Sequence, residues 1–156
     1  MKLLLLLRHA AASGGIDDHE RRLSGEGRVR AEAVAARLAD DALRPDLVLC
    51  SSARRAQETL EPLLAWTPPP PVEVTERLYL APAEELLAAI RDVDAGVARL
   101  LVIGHNPGLQ RLALQLAADR PGLAGFPPGG LAALRFDVDA WADVHEDGGR
   151  VVLSPG

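Results

Sequence analysis

The sequence has little cysteine, few aromatic residues and no long apolar run. Cys50 is the single cysteine, so no internal disulfide can form, and a lone thiol after an apolar stretch is more typical of a core residue than of a nucleophile. Aromatic residues make up only 3% of the chain. The five leucines at residues 3–7 are far fewer than the roughly 20 apolar residues that cross a bilayer. Because no signal-peptide pattern accompanies them, we expect a cytoplasmic protein without a membrane partner.

Lysine is also scarce. Lys2 is the only lysine and the net charge is −5, so no overall basic field favours nucleic acid as a partner. The remaining basic residues are arginines, and their general use throughout the chain makes their number uninformative. Each arginine is therefore judged by its position.

Short apolar runs alternate with longer Ala- and Leu-rich periodic segments. The 156 residues, of which 48% are hydrophobic and 25% charged, predict one globular domain over residues 1–156. Strands are predicted at 2–7, 46–50 and 98–104, and helices at 24–43, 52–66, 82–93 and 108–118.

Two further segments complete the predicted fold. Four prolines exclude helix from residues 67–74, which we interpret as a stiff extended connector, with a proline-rich ligand motif as the alternative. Residues 131–141 and 150–155 flank an "EDGG" turn and predict an antiparallel strand pair. Together these elements predict a three-layer α/β/α sandwich, with a mostly parallel central sheet and an antiparallel C-terminal strand pair.

The periodicity also predicts which side chains are buried. Ser24 is a candidate N-cap of the first helix. The residues expected to pack inward are Val29, Val34, Leu38, Leu60, Leu63 and Leu64, with Trp66 and Trp141 as packing anchors. The residues expected to face solvent are His19, Arg54 and His145.

Charged and proton-active residues follow three of the predicted strands. Arg8 and His9 follow the first strand, "SSARR" at 51–55 follows the second, and "GHNPG" at 104–108 follows the third. Ligands of open parallel sheets bind beyond the carboxyl ends of the strands, which share one edge. The sequence therefore predicts that these residues converge on an anionic ligand.

This combination of residues suits phosphoryl transfer. A neutral imidazole can attack phosphorus and form a phosphohistidine, while guanidiniums bind the non-bridging oxygens and stabilise the transition state. A second imidazole, protonated by the anionic site, can donate to the same oxygens. The four histidines, at positions 9, 19, 105 and 145, lack metal-ligand spacing, so we expect neither a metal nor another cofactor.

Three motifs carry a resemblance to a known family. "LLRHA", "SSARRAQET" and "VIGHNPG" resemble, in order and spacing, the histidine phosphatase superfamily, which is also called phosphoglycerate mutase-like. The closest similarity is to its small SixA-like branch of phosphohistidine phosphatases, and it extends over nearly the whole chain. The segment "DDHERRLSGEG" resembles the D-x-x-R-x-L-[ST]-x-x-G pattern of that branch.

The resemblance implies roles for particular residues. It implies that His9 is the phosphorylated nucleophile, that Arg8 and Arg55 bind phosphate, and that His105 is the second histidine of the phosphate pocket. Two weaker candidates for phosphate or substrate binding are Arg21 and Asn106. The usual R-H-G reads Arg8-His9-Ala10 here, a variation that the SixA-like branch tolerates.

The chain departs from the family where a general acid is expected. Metabolite-directed branches carry an L-x-E, but the corresponding residues here are Leu78, Tyr79 and Leu80. Glu84 and Glu85 follow on a predicted helix, where a solvated face is the more common role for a carboxylate. An alkoxide leaving group needs a proton from an acid, whereas an imidazole, with a free pKa near ~6.5, departs with less help.

Three functions are compatible with these features. The first is metal-independent dephosphorylation of phosphohistidine on a protein through a phosphoenzyme at His9, and it is favoured by the missing acid and by the absence of an insertion long enough to form a lid. The second is hydrolysis of a small phosphorylated metabolite or nucleotide, with Glu84 or Glu85 as the acid. The third is a non-catalytic module that binds a phosphorylated ligand. No oligomeric state is predicted.

Overall fold

The computed structural model describes residues 1–119 and 122–155. Its strands are β1 (Lys2–Arg8), β2 (Leu47–Ser51), β3 (Val72–Thr75), β4 (Arg99–Gly104), β5 (Leu131–Phe136) and β6 (Gly149–Leu153). Its helices are α1 (Gly25–Leu38), α2 (Arg54–Leu64), α3 (Ala83–Arg91) and α4 (Gly108–Leu116), and short 3₁₀ turns occur at Asp18–Glu20, Glu76–Leu78 and Trp141–Asp143. In this part of the chain no helix is long and apolar enough to cross a membrane.

The strands form a single sheet in the order β3-β2-β4-β1-β5-β6. β3, β2, β4 and β1 run parallel, whereas β5 pairs antiparallel with β1 and with β6. This arrangement confirms the predicted mostly parallel sheet with an antiparallel C-terminal pair.

The leucine run of β1 explains the three layers. Side chains alternate along a strand, so Leu4 and Leu6 pack on the side of α3 and α4, while Leu5 and Leu7 pack on the side of α1 and α2. All four are fully buried. A strand that is apolar on both faces requires a covering layer on each, which is the physical basis of the α/β/α sandwich.

Two residues predicted to pack inward are exposed. Val29 is 72% exposed, because the buried face of α1 contains Gly27, Ala31 and Val34, and Val29 lies about 200° from Gly27 around the helix axis. Leu64 is 49% exposed, because it lies about 100° from the buried Leu63 at the end of α2.

The other inward predictions are confirmed. The residues that are buried as expected are Val34, Leu38, Leu60, Leu63 and Trp141. The indole of Trp141 donates to the carbonyl of Val97 at 2.8 Å, and Cys50 is buried in the core. Trp66 is half-buried and has the Arg44 guanidinium 4.3 Å from its ring centroid.

The interpretation of residues 67–74 as a connector is wrong at its end. Val72–Thr75 forms β3, which pairs in parallel with β2 at the edge of the sheet. Proline excludes helix but allows extended backbone, and an edge strand needs hydrogen bonds on one side only. The prolines therefore lead directly into an edge strand.

The start of α1 is docked on the segment that follows His9. Ser24 is the N-cap as predicted, since its hydroxyl accepts from the Gly27 N–H at 3.1 Å. The carbonyl of Ala11 accepts from the Ser24 N–H at 2.9 Å and from the Ser24 hydroxyl at 3.1 Å. A Cβ on Gly27 would lie 2.1 Å from that carbonyl oxygen, so the approach requires glycine.

We expect Gly27→Ala to lower the free energy of unfolding by about 2–3 kcal/mol, because the new methyl group must push the His9 segment and α1 apart. The matched control is Gly25→Ala in the same helix, where no atom lies within 4 Å of an added Cβ. That variant should remain within about 0.5 kcal/mol of wild type or gain slightly in stability. Urea unfolding measures both, and equal destabilisation would contradict the proposed contact.

Candidate active site

The carboxyl ends of β1, β2 and β4 bring four predicted side chains together. Arg8 is the last residue of β1 and is in register with Gly104 at the end of β4. His9 and His105 directly follow these two strands, and their ring centroids are 5.1 Å apart. Arg55 reaches the same edge from the first turn of α2, which follows β2. Neighbouring parallel strands therefore assemble residues that are far apart in the chain.

His9 has one ring nitrogen bonded and the other facing the cluster. Its Nδ1 lies 2.8 Å from the carbonyl oxygen of Ala10, so Nδ1 carries the hydrogen and the Nε2 lone pair faces the Arg55 Nε–H at 3.4 Å. Burial, followed by the charges of Arg55, Arg8 and Arg21, lowers the pKa of His9 to about 4. At neutral pH the ring is an uncharged nucleophile held in one tautomer.

Arg55 links both histidines to a neighbouring loop. Only 3% of it is exposed. Its NH1 donates to the Asp18 carbonyl at 2.7 Å, and its NH2 lies 3.2 Å from Asp18 Oδ2 and 3.4 Å from His105 Nδ1. Together with its contact to His9, these bonds hold the guanidinium at the centre of the cluster.

His105 is buried and neutral in the unliganded protein. Its Nε2 lies 2.8 Å from the Ser51 hydroxyl, and only 3% of the residue is exposed. Burial, followed by the charges of His9 and Arg55, lowers the pKa of His105 to about 3. The protonated His105 ring that the sequence predicts therefore requires the negative charge of a bound anion.

Arg8 supplies a second guanidinium. Its NH1 donates to the Phe126 carbonyl at 3.0 Å. Its Nε is buried and has no hydrogen-bond partner among the described residues. A buried donor without a partner is costly, so this N–H is suited to an incoming oxyanion.

The weaker candidates differ in their placement. Arg21 donates to the Ser13 carbonyl at 2.9 Å and to Asp18 at 3.1 Å, and it is near enough to His9 to influence its pKa. Asn106 adjoins His105, but its amide donates to the Phe126 carbonyl at 3.0 Å and its Oδ1 accepts from Gln110. Asn106 therefore binds the same backbone carbonyl, that of Phe126, as Arg8 does.

The two candidate acids do not hydrogen-bond to the cluster. Glu84 and Glu85 lie in the first turn of α3. Glu84 is exposed, and Glu85 accepts from Arg77 Nε at 2.6 Å. Neither is bonded to any of the four central side chains within the described residues.

Sequence reasoning missed a carboxylate and a phenol at the site. Asp18 accepts from Arg55 and Arg21, and the Tyr79 hydroxyl donates to its Oδ2. The Tyr79 ring is edge-on to His105, with centroids 5.6 Å apart. The Tyr79 hydrogen bond, followed by bonds and charge from Arg21 and Arg55, lowers the pKa of Asp18 to about 2. The acidic position of the D-x-x-R pattern was the available signal.

Thr59 and Glu58 brace the site from α2. The buried Thr59 hydroxyl accepts from the Ala10 N–H at 3.0 Å and donates to the Arg55 carbonyl at 2.7 Å. Glu58 accepts from the Leu23 N–H at 2.8 Å, which fastens the loop containing Asp18 to the helix. These bonds connect α2 to the segment after His9 and to the loop that contains Asp18.

The three residues expected to face solvent have different surroundings. Arg54 is partly exposed and lies 3.7 Å from Glu58, outside the cluster. His145 is exposed as expected. His19 is only partly exposed, because its Nε2 lies 3.0 Å from the Ser52 hydroxyl and its ring is edge-on to Tyr79 at 4.9 Å. It packs at the rim of the site, where tertiary contacts cover one side of the ring.

Comparison with known proteins agrees with the geometry. Residues 4–79 match the family model of the histidine phosphatase superfamily, branch 1. An uncharacterized protein of Mycobacterium tuberculosis is 36% identical over 150 residues, which cover 89% of this chain and 92% of the relative. The chain belongs to the histidine phosphatase superfamily.

Two solved structures identify the group within it. A candidate phosphohistidine phosphatase SixA from Nakamurella multipartitia has a TM-score of 0.87 and 30% identity, covering 97% of this chain and 94% of that one. A similarly named protein from Agrobacterium tumefaciens has a TM-score of 0.82 and 29% identity, covering 99% and 98%. The protein is a SixA-like member of the histidine phosphatase superfamily.

The two neutral histidines predict a loss of stability in acid. The folded pKa values of about 4 for His9 and about 3 for His105 lie below the ~6.5 of an unfolded chain, so the unfolded state binds more protons between these values. The free energy of unfolding should fall as the pH is lowered through about 6.5, and the slope between about pH 7 and pH 5.5 lies above the range where most carboxyl groups titrate. His105→Gln should reduce that slope, as measured by urea unfolding at each pH. An unchanged slope would contradict the neutral state of His105.

Proposed function

We propose that the protein removes phosphate from phosphohistidine on other proteins, through a covalent phosphoenzyme at His9. The observation that carries the proposal is the state of the His9 ring. Its Nδ1–H is bound to the Ala10 carbonyl, and its Nε2 lone pair lies uncharged among Arg8, Arg55 and His105. A nucleophile needs such an unprotonated ring nitrogen, whereas a module that only binds phosphate does not.

The first step transfers the phosphoryl group to the enzyme. His9 Nε2 donates its lone pair to phosphorus as the bond between phosphorus and the substrate nitrogen breaks. The electron pair of that bond remains on the substrate imidazole, which leaves as a neutral ring when its other nitrogen carries a proton. The N–H groups of Arg8 and Arg55 bind the phosphoryl oxygens and stabilise the charge of the transition state.

His105 responds to the bound phosphoryl group. Burial and the adjacent cations oppose its protonation, so its ring is neutral before a phosphoryl group binds. A dianion beside it favours the imidazolium form, in which Nε2–H donates to the Ser51 hydroxyl and Nδ1–H donates to a phosphoryl oxygen. Protonation of His105 is therefore coupled to substrate binding.

Two observations favour phosphohistidine over a phosphate monoester. The segment Leu78–Leu80 lacks the carboxylate with which related enzymes protonate an alkoxide, and Glu85 is engaged by Arg77. His9 and Asp18 are both partly exposed, so the site can be approached by a phosphorylated side chain on a protein surface. A phosphoramidate is the substrate class that makes the least demand on an acid.

Incubation with a radiolabelled phosphohistidine protein, with EDTA present, should label the wild type through an acid-labile, base-stable bond and release phosphate. Sugar phosphates and nucleotides should be hydrolysed at least about 100-fold more slowly, because their alkoxide leaving groups need a proton. His9→Ala should acquire no label, since it lacks the nucleophile. Rapid quench and gel autoradiography measure the label.

His145→Ala is the matched control, because His145 is exposed and absent from the cluster. It should be labelled like the wild type. Equal labelling of His9→Ala would disprove the phosphoenzyme at His9. Preferential hydrolysis of monoesters that is lost in Glu84→Gln would instead favour a metabolite phosphatase.

Adjacent arginines provide a second test. Arg55→Gln should reduce kcat/KM by at least about 100-fold, because it removes a charged donor from the transition state. Arg54→Gln should stay within about threefold, because Arg54 is partly exposed and contacts Glu58 but none of the four central side chains. Steady-state kinetics with the phosphohistidine protein measure both variants, and equal losses would contradict the assignment of the phosphate ligand.

A further inference from the structure

The phosphoenzyme must be hydrolysed, and this second step needs a proton acceptor. Water attacks phosphorus efficiently only if a neighbouring group removes its proton. Arg8 and Arg55 are cations, His9 carries the phosphoryl group, and His105 has a protonated ring at that stage. None of the four central residues can serve as the base.

Asp18 is the carboxylate that meets this need. Among residues 1–119 and 122–155, it is the only carboxylate hydrogen-bonded to any of the four central side chains. Its Oδ2 lies 3.2 Å from Arg55 NH2, and the Nε of the same guanidinium lies 3.4 Å from His9 Nε2. The carboxylate and the nucleophile thus contact the same guanidinium group.

Neighbouring residues orient this carboxylate without neutralising it. The Tyr79 hydroxyl donates to Oδ2, and Arg21 NH1 donates to Oδ1 at 3.1 Å. The carboxylate of Asp18 raises the pKa of Tyr79, so the phenol is a proton donor and not a competing base. Asp18 is 46% exposed, so it can receive water from solvent and return a proton to it.

We propose that Asp18 is the catalytic base for hydrolysis of the phosphoenzyme, an inference that rests on the proposed function. A water oxygen forms a bond to phosphorus while one of its protons passes to the Asp18 carboxylate. The bond between phosphorus and His9 Nε2 breaks, and its electron pair returns to Nε2. Phosphate departs, His9 regains its neutral ring with Nδ1–H on the Ala10 carbonyl, and Asp18 releases its proton to solvent.

The charge balance of the site favours this order of events. The Tyr79 hydrogen bond and the two arginines keep the pKa of Asp18 low. Once His9 is phosphorylated, the phosphoryl oxygens compete with Asp18 for the N–H groups of Arg55, and a weaker bond to Arg55 raises the affinity of the Asp18 carboxylate for a proton. Asp18 becomes a better base at the step that requires one.

The test separates formation from breakdown of the phosphoenzyme in single-turnover rapid-quench experiments with the labelled phosphohistidine protein. Asp18→Asn retains an acceptor for Tyr79 but cannot take a proton. Its label should form within a few-fold of the wild-type rate and decay about 100-fold more slowly, because general base catalysis supplies factors of this size. Asp17→Asn, which changes the adjacent carboxylate, should form and lose label at wild-type rates.

A second variant distinguishes proton transfer from a structural role. Asp18→Gly should also accumulate label, and added formate should restore a large part of its decay rate by supplying a small carboxylate to the vacated space. Label that decays in Asp18→Asn as fast as in wild type would overturn the role of Asp18. Equal slowing of formation and decay in both Asp18 variants, with no effect of formate, would also overturn it, because Asp18 would then act only by holding Arg55.

These outcomes remain separate from the proposed function. A wild type that never acquires label at His9 would overturn the phosphoenzyme, and the role of Asp18 with it. A wild type that is labelled and an Asp18→Asn variant that turns over normally would leave the phosphoenzyme intact and remove Asp18 alone.

Discussion

The buried guanidinium of Arg55 is the contact on which the site depends. A charge with 3% of its residue exposed is costly unless its donors are satisfied, and here they face His9, His105 and two oxygens of Asp18. Those partners come from two regions that are distant in sequence, residues 9–18 and His105. The cation that connects these loops can also bind a phosphoryl group, so one side chain is suited to both the fold of the loops and the binding of a phosphorylated substrate.

The site is electrostatically suited to an anion. Burial and the neighbouring cations keep both imidazoles neutral, and Asp18 partly balances the charge of Arg55. In the proposed reaction, a phosphoryl group favours a protonated His105 and competes with Asp18 for Arg55. The protonation states of the proposed steps then follow from the charge of the substrate.

Much of the fold could be predicted because its signals are local. The leucine run of β1, the turn residues and the helical periodicity indicate element types, and three strands followed by Arg8-His9, Arg55 and His105 indicate where chemistry converges. Errors occurred where packing decides the outcome. Val29 is apolar yet lies on the exposed face of α1. The residues after the proline run form β3 because they pair with the free edge of β2, a contact between distant parts of the chain. His19 belongs to a charged loop, but an edge-on contact with Tyr79 covers part of its ring, so it is less exposed than predicted.

By itself, the sequence determined the α/β class, the strand ends that carry the site, and the four residues whose types and spacing resemble those of histidine phosphatases. Only the tertiary structure decided what surrounds these residues. The His9 tautomer depends on one backbone carbonyl, and the Tyr79 hydroxyl donates to the carboxylate of Asp18, which lies 61 residues earlier in the chain. The spacing of residues predicts contacts within one helix or strand and between the ends of neighbouring strands. The positions of loops depend on hydrogen bonds between distant residues, which cannot be predicted from a pattern of residue types.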